Sequence, residues 1–297
     1  MAEDAGDLSV AQALAALLET GVDEASLDAD RASAAVFAGR LGGSGRPVTL
    51  SGDLDRALGA DLPDGLWCLC EPETVAAAQA LDVACGAEAA VTATRAPLVR
   101  LLDEVADPAE LRSVGRAAGH LALRAPVPFA VGAVGLAGSR AVDPGRLNDG
   151  VRALCAGFVE AGLHGVLLED APNGAVGFGA VRAASAAGLP VAALADHGAL
   201  PDDRLLALTL AALAASGACC AGVSSVPWGD LDAVARRVGA AASRCGVSGA
   251  VVADVPAGEP AREWPLPAVE GLGLLGVRGA SLAAAADLWA SLAAAGG

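Results

Sequence analysis

The stretch that decides the fold is Ala161-Gly162-Leu163-His164-Gly165-Val166-Leu167-Leu168-Glu169-Asp170-Ala171-Pro172-Asn173. Gly162 reads as a helix stop, because glycine takes the left-handed C′ conformation without steric cost. Gly165 to Leu168 is an apolar run with no in/out alternation, the pattern of a parallel strand covered on both faces. Glu169 and Asp170 close that run. Ala171-Pro172-Asn173 then forces a turn, since proline continues neither a helix nor a central strand. The stretch reads as helix, buried strand, acidic strand end and loop, and the C-terminal ends of parallel strands are where such folds place their chemistry.

The same unit recurs on both sides. Helices are expected to stop at Gly162, Gly188, Gly217 and Gly246, at intervals of 26, 29 and 29 residues. Each stop precedes an apolar run, at 166–168, 191–195, 218–223 and 250–253, which is the spacing a βα unit requires. Upstream, 47–51 is a short strand ending in Gly52-Asp53, and Pro72 opens a helix that stops at Gly86. Residues 89–94 are a second strand. Asp107-Pro108-Ala109-Glu110 is a capping box with proline at N1, opening a helix toward Gly119. Residues 128–134 are a third strand, a helix runs from about Arg146, 272–277 is the eighth strand, and 281–295 is a last helix. Eight strands alternating with helices predict a (β/α)8 TIM barrel over 47–297. A doubly wound open sheet is the alternative, and the count of eight favours the barrel.

Residues 1–46 read as a helical extension. Ser9 and Gln12 form a capping box before a helix that ends near Gly21, a second helix spans about Glu24 to Arg40, and Gly42-Gly43-Ser44-Gly45 is a hinge. The extension is expected to be a cap or a dimer contact, so a homo- or hetero-oligomer stays among the expected assemblies.

Composition removes whole classes of function. The 297 residues carry a formal net charge of -16, which argues against nucleic acid and anionic membrane as partners. All 19 cationic side chains are arginine, so Schiff-base catalysis on lysine, pyridoxal phosphate chemistry and a P-loop are excluded. With 3% aromatics and no tyrosine, the core must be built from Ala, Val and Leu. Seven irregularly spaced cysteines and the acidic start Met1-Ala2-Glu3-Asp4 lead us to expect a reduced, cytoplasmic protein. Residues 205–226 carry no charge but read as a buried helix and strand rather than a membrane span.

Collected at one barrel mouth, the strand ends present Ser51 and Asp53, Thr92 and Thr94, Glu169 and Asp170, Asp196 and His197, Ser224 and Ser225, Asp254, then Arg278 and Gly279. Glu169 is the leading candidate, because a charge that continues a buried strand needs a partner, either a ligand amino group or Arg278. Asp196-His197 could supply a general base, though a lone loop histidine is more often solvated. His120 and His164, near helix ends, receive no role. Cys68 and Cys70, expected in a loop, and the adjacent Cys219 and Cys220, expected within a strand on opposite faces, lack the spacing of zinc pairs.

Taken in order, these residues resemble a family. Leu50-Ser51-Gly52-Asp53-Leu54, Gly59-Ala60-Asp61-Leu62, Leu66-Trp67, Pro72-Glu73-Thr74-Val75, Gly86-Ala87-Glu88-Ala89 and Thr92-Ala93-Thr94 are similar to the start of the homocysteine S-methyltransferase barrel. Gly132-Ala133-Val134-Gly135, Leu168-Glu169-Asp170-Ala171-Pro172, Gly222-Val223-Ser224-Ser225-Val226-Pro227 and Leu275-Gly276 continue the likeness from about residue 47 to the C-terminus. The resemblance implies that Glu169 holds the amino group of homocysteine. Thr94, Ser51 and Asp196, at the strand ends, are further candidate substrate-binding residues, and a small amino acid is the expected ligand.

The departures carry as much weight. The family holds zinc with three thiolates, one at the sixth strand end and two after the eighth. Here Ser225 stands at the first position, and Arg278 and Gly279 stand at the pair. A hydroxyl, a guanidinium and a glycine make no zinc–thiolate site, so no metal and no other cofactor is expected. The family's opening Asp is Ser51, and its strand-two Tyr is Arg95. Three readings follow in order: a diverged homologue without zinc-dependent methyl transfer, inactive or serving as a partner subunit; a methyltransferase that activates its thiol by a non-zinc route; and an unrelated barrel enzyme with an anion site near Arg278, Gly279 and Ser281.

Overall fold

The computed structural model describes residues 24–42, 46–51, 64–84, 86–95, 98–105, 107–255, 270–279 and 289. The expected helix at 9–21, Asp53, Ser281 and nearly all of the expected last helix lie outside them. Eight parallel strands are present: β1 (Val48–Thr49), β2 (Ala89–Val91), β3 (Phe129–Gly135), β4 (Gly165–Ala171), β5 (Val191–Asp196), β6 (Cys220–Pro227), β7 (Ser248–Asp254) and β8 (Leu272–Arg278). Each pairs with its sequence neighbour, and β8 returns to β1 with Val48 opposite Leu274. A parallel bridge between Leu50 and Ala89 closes the ring. There the Ser51 N–H donates to the Ala89 carbonyl at 2.8 Å and the Glu88 N–H to the Thr49 carbonyl at 3.0 Å. This is the (β/α)8 barrel.

The opening stretch shows why. In β4, Leu167 joins the cluster inside the barrel with Val131, Leu194, Val252 and Leu274. Val166 and Leu168 join the outer layer between sheet and helices, with Phe158, Leu154 and Val181. Alternate side chains enter two apolar layers, so the run loses its polar face. Gly162, Gly188, Gly217 and Gly246 end their helices with φ of 85°, 87°, 108° and 74°, the left-handed region that favours glycine.

Asp107 caps its helix as expected, its carboxylate accepting from the Ala109 N–H at 2.9 Å. That helix (Pro108–Leu123) does not stop at Gly119. Gly119 is instead a contact point, since a Cβ there would lie 2.5 Å from the Ala161 Cβ. Cys68 and Cys70 lie on a short helix (Asp64–Cys70), not in a loop, because Cys68 packs on Val75, Ala118 and Leu121. Cys219 precedes β6 by one residue, and it packs against the same interior cluster as Cys220 instead of facing away.

The helix Glu24–Leu41 closes the floor of the barrel. Phe37 packs on Phe129 with ring centroids 5.1 Å apart, and Gly165 leaves room for its ring. The Ser248 hydroxyl donates to the Leu41 carbonyl. Arg40 and Arg46 pair with Glu88 at 3.3 Å and 3.0 Å. Among the described residues no helix is long and apolar enough to cross a membrane, and 205–226 forms a helix (Asp203–Ala215) followed by β6.

Candidate functional site

Two of the strands end irregularly. The register shifts between Leu168 and Ala171 in β4 and between Val223 and Val226 in β6. At these bulges Asp170 and Ser225 take φ of 54° and 57°, the only non-glycine residues with positive φ among those described. Regular alternation would send both side chains to the outer layer. The bulges turn them toward the mouth instead, at a cost of order 1–3 kcal/mol per strained residue.

The two strained residues are bound to each other. The Ser225 hydroxyl donates to Asp170 Oδ1 at 3.0 Å, and the Ser224 hydroxyl donates to the same oxygen at 2.7 Å. The Asp170 N–H donates back to Ser224 Oγ at 3.0 Å. Arg278, at the end of β8, reaches across with all three kinds of guanidinium nitrogen. Nη1 meets Asp170 Oδ2 at 3.0 Å, Nε meets Asp254 Oδ1 at 2.8 Å, and Nη2 donates to Ser225 Oγ. Burial pushes the Asp170 carboxyl up, but Arg278 and the serine hydroxyls more than offset that and hold it below the usual carboxylate range. Burial likewise pulls the Arg278 guanidinium down, and the negative charges of Glu169, Asp170 and Asp254 together outweigh it and hold it above its ordinary value.

Glu169, next to this network, is fully buried. Arg95, one turn past β2, meets it with a fork: Nη2 donates to Oε1 at 2.7 Å and Nε donates to Oε2. The partner that a buried charge demands is thus a side chain of this protein, and it is Arg95 rather than Arg278.

Ser51 and Thr94 serve as ties between strands. The Ser51 Oγ accepts from the Val91 N–H at 2.8 Å. Thr94 donates its one hydroxyl proton to the Ala133 carbonyl at 2.7 Å, so in its 2.7 Å contact with Thr92 the donor is Thr92. Asp196 is half-buried and caps the turn after β5, its Oδ1 accepting from the Gly198 N–H at 3.0 Å. It faces a cavity of about 490 Å³ that also touches Asp170, Ser225, Pro172, Ser139 and Arg140. Of the four candidate substrate-binding residues, only Asp196 lines that cavity. Ser139 and Arg140, in the turn after β3, were not singled out from the sequence, because no spacing or composition marks them.

Ser225, Arg278 and Gly279, the positions that the sequence resemblance compares with zinc thiolates, carry no thiol. The Ser225 hydroxyl donates its hydrogen bond to Asp170 and accepts one from Arg278, Arg278 is itself a cation, and Gly279 has no side chain, so the three do not suit zinc. Elsewhere burial pushes the Cys155 and Cys220 thiols up to about 12, away from the thiolate a metal needs. Among the described residues no three His, Cys, Asp or Glu side chains come together as a metal site.

The sign of the Asp170 shift gives a pH test. A carboxyl held below its unfolded value of about 3.9 contributes stability that is complete above that value and lost as pH falls toward the folded one. Asp170→Asn suits the position, since asparagine tolerates positive φ. The stability gap between wild type and this variant, from urea midpoints, should stay constant from about pH 7 to 5 and narrow below about pH 4. A gap that widens on acidification contradicts the assignment.

No protein-family model matches this chain, and no curated protein matches it. Solved structures do. The metallated homocysteine methyltransferase MmuM from Escherichia coli superposes with a TM-score of 0.65 over 83% of this chain and 96% of that one, at 18% identity. Its apo form gives 0.62 over 84% and 97%, also at 18% identity. 3-Dehydroquinate dehydratase from Geobacillus kaustophilus HTA426 gives 0.52 over 79% and 83%, at 13% identity. At such identities these likenesses establish the barrel architecture and nothing narrower.

Proposed function

We propose that this chain is a homocysteine S-methyltransferase-like barrel that does not carry out zinc-dependent methyl transfer, and that it acts as a small-molecule-binding or partner subunit. The observation that supports this most is the cross-mouth network of Arg278 with Asp170, Asp254 and Ser225, at the strand ends where the family's thiolates would stand. A fixed guanidinium there repels a dication by about 8 kcal/mol, taking roughly 4 Å and an effective dielectric near 20. The Arg95–Glu169 fork agrees, because an incoming ammonium would have to displace a bidentate guanidinium. The charge of -16 argues against nucleic acid and anionic membrane as partners. The free thiols Cys70, Cys155, Cys219, Cys220 and Cys245 suit a reducing compartment such as the cytoplasm.

The anion-site reading loses ground on one point: Nε, Nη1 and Nη2 of Arg278 each already face an oxygen of this protein. The test is metal analysis after purification with zinc present, beside a methyl-transfer assay on homocysteine with several methyl donors. Less than a tenth of an equivalent of zinc and no transfer above background are expected. One zinc per chain that is lost on Ser225→Ala, or robust transfer without metal, overturns the proposal.

A further inference from the structure

We infer that the cavity beside the Arg278 network binds a small α-hydroxycarboxylate, with its carboxylate on Ser139 and Arg140 and its hydroxyl on Asp196. The inference rests on the preceding reading of the mouth as a ligand site, but not on the loss of zinc chemistry. Three observations converge. Ser139 lines the cavity, is only 1% exposed, and its hydroxyl has no hydrogen-bond partner among the described residues. A buried hydroxyl left unmatched in the free protein is costly, and a ligand atom would match it. Arg140, on the same turn, lines the same cavity and forms no ion pair among the described residues. Asp196 faces them from the end of β5 with one oxygen bound to the Gly198 N–H and no hydrogen bond to the other among the described residues.

The balance of groups selects the ligand. A guanidinium beside a hydroxyl donor recognises a carboxylate. On the facing side the neighbouring acids are spent: Asp170 on Arg278, Ser224 and Ser225, and Glu169 on Arg95. Among the described acids that line the cavity, that leaves one carboxylate oxygen without a hydrogen bond, on Asp196. One acceptor suits the single proton of a hydroxyl, whereas an ammonium brings three donors and needs more. Leu136, Pro172 and Ala199 supply apolar wall for a short carbon chain. Ser139 also sits behind Gly138, whose φ of 74° turns the chain into the cavity and whose Cβ position meets nothing within 4 Å.

The experiment is calorimetric titration of the full chain in chelator-treated buffer with lactate, glycerate, serine, homocysteine and glycerol. Lactate or glycerate should bind, serine and glycerol at least about tenfold more weakly. Arg140→Met and Ser139→Ala should each weaken hydroxy-acid binding about tenfold or more, while Ser139→Ala leaves the melting temperature of the free protein unchanged or higher. That combination separates a ligand contact from a structural one, since no partner is lost in the free protein. No hydroxy-acid binding up to about 10 mM, preference for serine or glycerol, or affinity indifferent to both variants overturns the inference. Homocysteine binding that is lost on Glu169→Gln but kept in Arg140→Met also overturns it, while upholding the mouth as a ligand site.

Discussion

Replacing Arg95 by methionine is expected to lower the folding free energy by about 3–5 kcal/mol, because it strands a charge in a site that excludes water. Glu169 is fully buried and its carboxylate is held by the Arg95 fork. Without the guanidinium the carboxylate is left in a buried site with no opposite charge beside it. Adding Glu169→Leu to Arg95→Met should recover most of the loss, since a buried ion pair replaced by apolar groups of similar size is often neutral or stabilising. Urea denaturation of the two single variants and the double variant gives the coupling directly. Should Arg95→Met cost less than about 1 kcal/mol, the pair is not buried in solution and the account of the mouth fails with it.

A comparable loss is expected from one methyl group in the barrel wall. Gly222 lies in β6, and a Cβ there would sit 1.7 Å from the Ala250 carbonyl oxygen and 2.5 Å from its carbon. Both are backbone atoms of β7, so no side chain can swing away. In a closed ring β6 cannot retreat from β7 without loosening β5 on its other side. Gly222→Ala should therefore cost more than about 4 kcal/mol, in the range where marginal domains stop folding. Gly229→Ala, in the turn after β6 with nothing within 4 Å of its Cβ position, is the matched control and should be near neutral. Soluble yield and thermal melts decide it. Wild-type melting of Gly222→Ala would mean that the β6–β7 spacing is wrong.

How much of this was legible in advance differs between fold and site. The glycine stops at 162, 188, 217 and 246 marked their helix ends correctly, because each reflects a local φ requirement that the residue type announces. Gly119 misled, because its requirement is a tertiary contact with Ala161 and not a turn. Cys68 and Cys70 misled for a similar reason, since the helix that carries them is stabilised by what Cys68 packs against. At the site, the charge at Glu169 was conspicuous, but its partner was not. Arg95 and Glu169 lie 74 residues apart, and nothing local in either segment announces the fork. Ser51 and Thr94 drew notice as hydroxyls at strand ends, and they are spent on neighbouring strands.

From the sequence alone came the alternation of apolar runs with glycine-terminated helices, hence the eightfold barrel, and the acidic net charge. These follow from residue types and near-neighbour spacing, which act locally. The tertiary structure alone decided which charges meet. It paired Arg95 with Glu169, drew Arg278 onto Asp170, Asp254 and Ser225 through two strained bulges, and left Ser139 unmatched among the described residues beside Arg140 and Asp196. Those outcomes depend on side-chain directions at strand ends, where a single bulged residue reverses which way a group points.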